Sequence, residues 1–272
     1  LGRDTEPTVA EQAEAYAEVF AAFPRRKVVV RTLDAGADKP LPFLTDAQEP
    51  NPALGVRGYR TDWSTPGVLA RQLEAIAAAA AESSADVRVM APMIATVAEA
   101  AHFRELVHAA GLPVSGVMVE TPAAAMTAEQ ILDRVDFVSL GTNDLTQYTM
   151  AADRMLGSLA ELNSPWQPAV LRMVECVTRG AASASQSHAT PKNVGVCGEA
   201  AADPALAVVL VGLGVDSLSM SARSLAAVAA VLRTVDTEQA RRIARLALRA
   251  TSPQEARDTV RAELPVLAEL GL

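Results

Sequence analysis

Short apolar runs rich in valine and other strand-favouring residues alternate along this chain with Ala-rich stretches of helical periodicity, and that alternation restricts the fold more than any other feature. Strand-like runs lie at Lys27–Leu33, Val87–Met93, Gly116–Glu120, Phe137–Asn143, Val194–Cys197 and Ser217–Met220, with a weaker one ending near Arg57. Helical patterns separate most of them: Gly67–Ala81, Val97–Ala110, Pro122–Arg134, Pro168–Ala182, Ala205–Gly212 and Arg223–Arg233. A helix at Thr8–Phe23, opened by Thr8 as N-cap, precedes the first strand, and two more, Thr237–Ala250 and Ser252–Leu267, follow the last. Arg179–Asn193 reads as a helix end running into a loop. Strand–helix order repeated in this way predicts an α/β fold, a parallel sheet closed into an eight-stranded (β/α)8 TIM barrel, rather than a helical bundle. Seven strand candidates fall one short of eight, which predicts that the chain starts just after the first strand and that residues 1–272 form one truncated barrel domain.

Composition narrows the partners. Half of the 272 residues are hydrophobic and 21% are charged, enough to bury a full core. The net charge is −8, and the basic residues are scattered, so nothing in the sequence supports a nucleic-acid surface or an anionic membrane as partner. Two cysteines, Cys176 and Cys197, suit a reducing compartment better than a disulfide framework. The longest apolar stretch, Asp203–Val215, is too short to span a bilayer, and the first residues lack a signal-peptide pattern. A cytoplasmic protein without membrane insertion is expected.

Catalytic groups of such barrels sit at the C-terminal ends of strands and on the loops that follow. That rule selects Arg31, Arg57, Glu120, Asn143, Asp144 and Cys197, with Lys39, Arg60, Arg154 and Glu199 on adjoining loops. Arginines together with carboxylates equip a site for a phosphorylated anion and a hard cation such as Mg2+, which takes one or two protein carboxylates and draws its other oxygens from substrate and water. Glu120 and Asp144 are the pair that suits it. Each residue also has a plainer reading. Asp144 serves equally as a turn cap, and Cys197, after an apolar run, reads on composition as a core thiol, as does mid-helix Cys176. Gly36 and Gly55 lie in loops where backbone approach to a phosphate is sterically open. His102, His108 and His188 form no nucleophile or metal constellation.

The run DFVSLGTNDLTQYTMAADR, Asp136–Arg154, resembles the signature of the phosphoenolpyruvate-utilising enzymes. Further blocks agree in order with enzyme I of the bacterial sugar phosphotransferase system: VRTLDAGADKPLP from Val30, NPALGVR from Asn51, MVETPAA from Met118, VCGE from Val196 and SLSMS from Ser217. Carried over position by position, the resemblance implies that Arg31 and Arg154 bind the substrate phosphate, with Arg57 and Lys39 as further anion contacts. Asn143 and Asp144 touch substrate, and Glu120 and Asp144 hold Mg2+. Cys197 becomes the acid that protonates the enolate carbon, which reverses the reading from composition, and Glu199 is its neighbour.

The function implied is phosphoenolpyruvate-protein phosphotransferase. The phosphoryl group passes from phosphoenolpyruvate to a histidine on a separate upstream domain and thence to a phosphocarrier protein, leaving pyruvate, as the first step of sugar uptake. The resemblance further implies a homodimer, a phosphate-binding arginine upstream of residue 1, and a fragment inactive alone. Where many relatives have tryptophan, this chain has Val56. Pyruvate,phosphate dikinase and phosphoenolpyruvate synthase share the GTNDL core or a close variant, but the run from Tyr148 to Arg154 is nearer to enzyme I. A non-catalytic ligand-sensing or dimerisation module is the alternative from another class, and the intact arginine and carboxylate set argues against it.

Overall fold

Residues 5–35, 41–44 and 48–272 are described by the structure, a computed structural model. The chain forms two compact units, Leu1–Met118 with Arg134–Asp136, and Val119–Asp133 with Phe137–Leu272.

The first unit begins with α1 (Val9–Ala22), whose Thr8 N-cap and Glu11 make a reciprocal capping box, so the start expected from sequence is where the helix starts. It continues through β1 (Lys27–Arg31), α2 (Thr61–Ser64), α3 (Val68–Ala81), β2 (Asp86–Ile94), α4 (Val97–Ala109) and β3 (Ser115–Val119), which ends at the unit's boundary. The strands lie in chain order, and β1 runs parallel to β2 with Arg31 opposite Met90. Phe20, Leu73, Ile76, Phe103 and Val107 are fully buried, so the apolar stripes of α1, α3 and α4 supply the core. A second capping box, Thr96 with Glu99, opens α4. Asp136 accepts from the Ser115 amide and donates its own amide to the Ser115 carbonyl, fixing the entry to β3.

The second unit contains α5 (Pro122–Met126), α6 (Ala128–Leu132), β4 (Phe137–Gly141), α7 (Thr142–Met150), α8 (Pro168–Gln186), β5 (Asn193–Cys197), α9 (Glu199–Ala202), α10 (Pro204–Gly212), β6 (Ser217–Ser219) and α11 (Ala222–Leu232). Three helices follow: α12 (Thr237–Arg249), α13 (Pro253–Ala262) and α14 (Val266–Glu269). Strands β4, β5 and β6 are neighbours in chain order and parallel, with Gly141 opposite Cys197 and Cys197 opposite Ser219. Two glycines allow helices to touch. A Cβ on Gly180 would stand 2.9 Å from the Glu129 amide, and one on Gly212 would stand 2.9 Å from the Ala244 Cβ, so α8 meets α6 and α10 meets α12 at close range.

Several expectations need correction. The strand expected near Arg57 is absent; Pro52 opens a 3-10 turn, and Gly58, at φ +56°, turns the chain away after Arg57. The described strands therefore number six rather than seven. Pro122–Arg134 is two short helices broken at Thr127, and the helix expected over Ser252–Leu267 stops at Ala262 ahead of Pro265. α8 runs to Gln186, four residues past its expected end at Ala182. Among the described residues no helix is long and apolar enough to cross a membrane.

Candidate active site

Arg31 ends β1, and three residues later the chain buries Asp34 with 1% of its side chain exposed. Arg31 Nη1 donates to Asp34 Oδ2 over 3.0 Å. Arg57, whose side chain is 2% exposed, brings Nη2 to the same carboxylate, 3.3 Å from Oδ1 and 3.2 Å from Oδ2. The arrangement is a carboxylate shared by two guanidinium groups, which restrains both through charge-assisted hydrogen bonds. Sequence reasoning placed both arginines but assigned Asp34 nothing. Its spacing of three residues from Arg31 was the available signal, and its contact with Arg57 was not legible. Arg60 turns to Glu99 instead, at 3.3 Å. The room at Gly55 is taken by the Glu49 carboxylate, which accepts the Val56 amide at 2.8 Å, so no backbone cradle forms there. Lys39 and Gly36 lie outside the described residues.

In the second unit the remaining candidates collect around the end of β4. Glu120 follows β3 and is 2% exposed, with its carboxyl group against Gly141; a Cβ there would stand 2.9 Å from Glu120 Cδ. From Gly141 the chain enters α7, whose first turn holds Asn143, exposed, and Asp144, 5% exposed. An acidic residue in that turn also suits the helix dipole. The end of α7 then reverses: Ala151 adopts left-handed φ +50°, and Gln147 accepts the Arg154 amide at 2.9 Å. This return brings Arg154 Nη1 to 3.2 Å from Asp144 Oδ2. The signature run is thus a strand, a helix and a hairpin-like return that set its own arginine on its own aspartate.

Cys197 ends β5 opposite Gly141 and is half-buried, its Sγ 3.4 Å from the Leu140 carbonyl. Thr142, not singled out in the sequence, donates its hydroxyl to the Cys197 carbonyl at 3.2 Å. Gly198, at φ +95°, passes close enough that a Cβ would lie 3.5 Å from Asn143 Oδ1, so the β5 loop rests on the start of α7. Glu199 is exposed as the first residue of α9. Cys176 sits within α8 and takes no part.

Among the described residues no three His, Cys, Asp or Glu side chains gather as a ready-made metal cage. The donor set still fits magnesium. Two nearly buried carboxylates, Glu120 and Asp144, follow neighbouring segments, and this cation uses one or two protein carboxylates beside substrate oxygens and water.

A family model described as the PEP-utilising enzyme, PEP-binding domain, matches residues 1–237. The chain belongs to the PEP-utilising enzymes. Within that family it is 52% identical to a phosphoenolpyruvate-protein phosphotransferase from Streptomyces coelicolor over 259 residues, 95% of this chain and 46% of the relative. Proteins of the same name from Listeria monocytogenes (40% identity; 94% of this chain, 45% of the relative) and Haloferax volcanii (42%; 94% and 46%) also align. The chain spans about half the length of these PEP-utilising relatives. A crystal structure of an HpcH/Hpal aldolase/citrate lyase family protein from Burkholderia cenocepacia aligns over 86% of this chain and 90% of the other, with a TM-score of 0.42 and 19% identity, too loose a likeness to bear on the fold.

Proposed function

We propose that this chain is the phosphoenolpyruvate-binding part of a phosphoenolpyruvate-protein phosphotransferase. The observation that carries the reading is the internal closure of the signature run, in which Arg154 returns to the buried Asp144 at the start of α7. An arginine held on a carboxylate in this way is ready to meet phosphoryl oxygens with little reorganisation.

In the reaction the phosphorus–oxygen bond of phosphoenolpyruvate breaks as the phosphoryl group passes to a histidine nitrogen on another domain of the whole protein. The bond's electron pair stays on the departing oxygen, giving enolpyruvate as its enolate. Charge spreads over the phosphoryl oxygens during transfer, and the reading gives Arg31, Arg57, Lys39 and Arg154 the role of neutralising it. Asn143 orients the substrate. Glu120 and Asp144 would hold magnesium, which when bound would supply positive charge that stabilises the enolate. Cys197 then gives its thiol proton to the enolate carbon to form pyruvate, and the thiolate takes a proton back from water.

The same reading includes an eight-stranded α/β barrel as the fold of the domain, transfer onward to a phosphocarrier protein, assembly as a homodimer and action in the cytoplasm. In-order parallel strands, each followed by a helix, support the barrel.

Calorimetric titration tests the site. Phosphoenolpyruvate, or oxalate as the enolate mimic, is expected to bind with Mg2+ or Mn2+ and not in excess chelator. Equal binding without metal, or unaltered metal-dependent binding by Asp144→Asn, would refute the assignment.

A further inference from the structure

The turn that carries Arg57 is gripped from two directions within the first unit. On one side Arg57 meets Asp34, and the next amide, Gly58 N–H, donates to the Ala35 carbonyl at 3.2 Å. On the other side the following two residues reach α4. Tyr59 Oη lies 2.6 Å from His102 Nδ1, and Arg60 Nε lies 3.3 Å from Glu99 Oε1. The turn cannot easily slide between these grips: a Cβ on Gly58 would stand 2.9 Å from Met93 Cβ, and the Thr61 hydroxyl ties back to the Gly58 carbonyl at 2.8 Å.

The Tyr59 ring is 6% exposed and packs edge-on against Phe103, with ring centres 6.2 Å apart. Burial, with Glu99 and Asp62 adding repulsion, pushes its hydroxyl up to about 12. The phenol therefore keeps its proton across the neutral range and shares one hydrogen bond with His102 Nδ1, in which either group can donate according to the imidazole tautomer. Packing alone would be served by phenylalanine. A hydroxyl buried on a histidine 43 residues away indicates a directional need, because an orientation set by a hydrogen bond is narrower than one set by ring contact.

Only Gly58 separates Tyr59 from Arg57, so the placement of the ring sets the backbone from which the guanidinium extends. We propose that Tyr59 and His102 are positioning residues for Arg57, holding its guanidinium where the phosphoryl oxygens of phosphoenolpyruvate arrive. The inference rests on the reading of Arg57 as a phosphate ligand, and it adds a pair that never touches substrate.

The experiment compares two probes on the full chain, phosphoenolpyruvate with Mg2+, which needs the arginine, and oxalate with Mg2+, which has no phosphoryl group. Tyr59→Phe and His102→Leu are expected to weaken phosphoenolpyruvate binding roughly tenfold, the loss of one well-placed hydrogen bond, while oxalate binding stays within twofold. His102→Asn, whose side-chain amide offers a hydrogen-bonding group near the position of Nδ1, should restore most of the affinity. Parallel loss of both probes with a lowered melting temperature would make the pair merely structural and overturn the proposal, as would unchanged phosphoenolpyruvate binding by Tyr59→Phe. An unsubstituted chain that binds oxalate but not phosphoenolpyruvate would overturn the reading of Arg57 itself, and the inference with it.

Discussion

The Glu120 carboxyl group fills the space into which a side chain at Gly141 would grow. Gly141 has an ordinary negative φ of −91°, so glycine is required here for room rather than for backbone freedom. Gly141→Ala is expected to push the carboxylate aside, at a cost of about 1 to 3 kcal/mol for overpacking. Mn2+-dependent oxalate binding should fall with it. Thermal unfolding and oxalate titration measure the two effects, and full oxalate affinity in the variant would remove Glu120 from the metal set.

Asp34 is held between Arg31 and Arg57 with both Arg57 and itself almost wholly buried. Removing one partner of a buried ion pair strands the other charge, so Asp34→Ala should cost about 3 to 5 kcal/mol. A urea melt should show a lower midpoint with an unchanged slope. A midpoint within experimental error of the parent would mean that solvent already shares the interaction.

Cys197 is half-buried at the end of β5, neither sealed in the core nor fully open. In the complete protein, Cys197→Ala should bind substrate and metal as before but form pyruvate roughly 10²- to 10⁴-fold more slowly, the usual scale of a lost general acid. Single-turnover pyruvate formation is the measurement. Near-normal turnover with a lowered melting temperature would return this thiol to a packing role.

Glu255 caps α13 by accepting both the amide and the hydroxyl of Thr251, at 2.8 and 2.7 Å. Those bonds hold its carboxyl below the ordinary 4.5. A depressed folded value means that the contribution is present above pH 4.5 and disappears as pH falls through the folded value. Amide exchange at Thr251, corrected for intrinsic rate, should speed up below pH 4.5, and Glu255→Gln should flatten that dependence. A profile identical in parent and variant would rule out the cap as its cause.

What sequence made legible follows from which interactions are local. Thr8 and Glu11 form a box within one turn, so the start of α1 could be read directly, and strand ends such as Arg31 and Cys197 followed from short apolar runs. The region near Arg57 misled because Val56 and Arg57 look extended, and Arg57 does have extended dihedrals; the left-handed Gly58 and the two 3-10 turns belong to a loop held by partners distant in sequence, among them Asp34, Met93 and His102. The candidate site was legible as a set of strand-end charges. Its internal pairing was not. Asp34 meets Arg57 across 23 residues and Tyr59 meets His102 across 43, distances at which no periodic signal survives. His102 had no role in the sequence because its partner is a tyrosine, which fits neither a metal nor a nucleophile pattern.

On the proposed reading of Arg31 and Arg57 as phosphate ligands, a carboxylate already seated between the two guanidinium groups would also govern which anions are admitted. Asp34 is a resident competitor at Arg31 and Arg57. Chloride or acetate, with a single charge, gains little against an acceptor that is hydrogen-bonded in place and entropically free to remain there. A phosphomonoester dianion brings more charge and several oxygens to the same donors, so it can prevail where the simpler ions fail. A bare pair of arginines would fill with whichever salt is most abundant around it. With Asp34 between them, the proposed site would resist bystander anions and yield to a dianion.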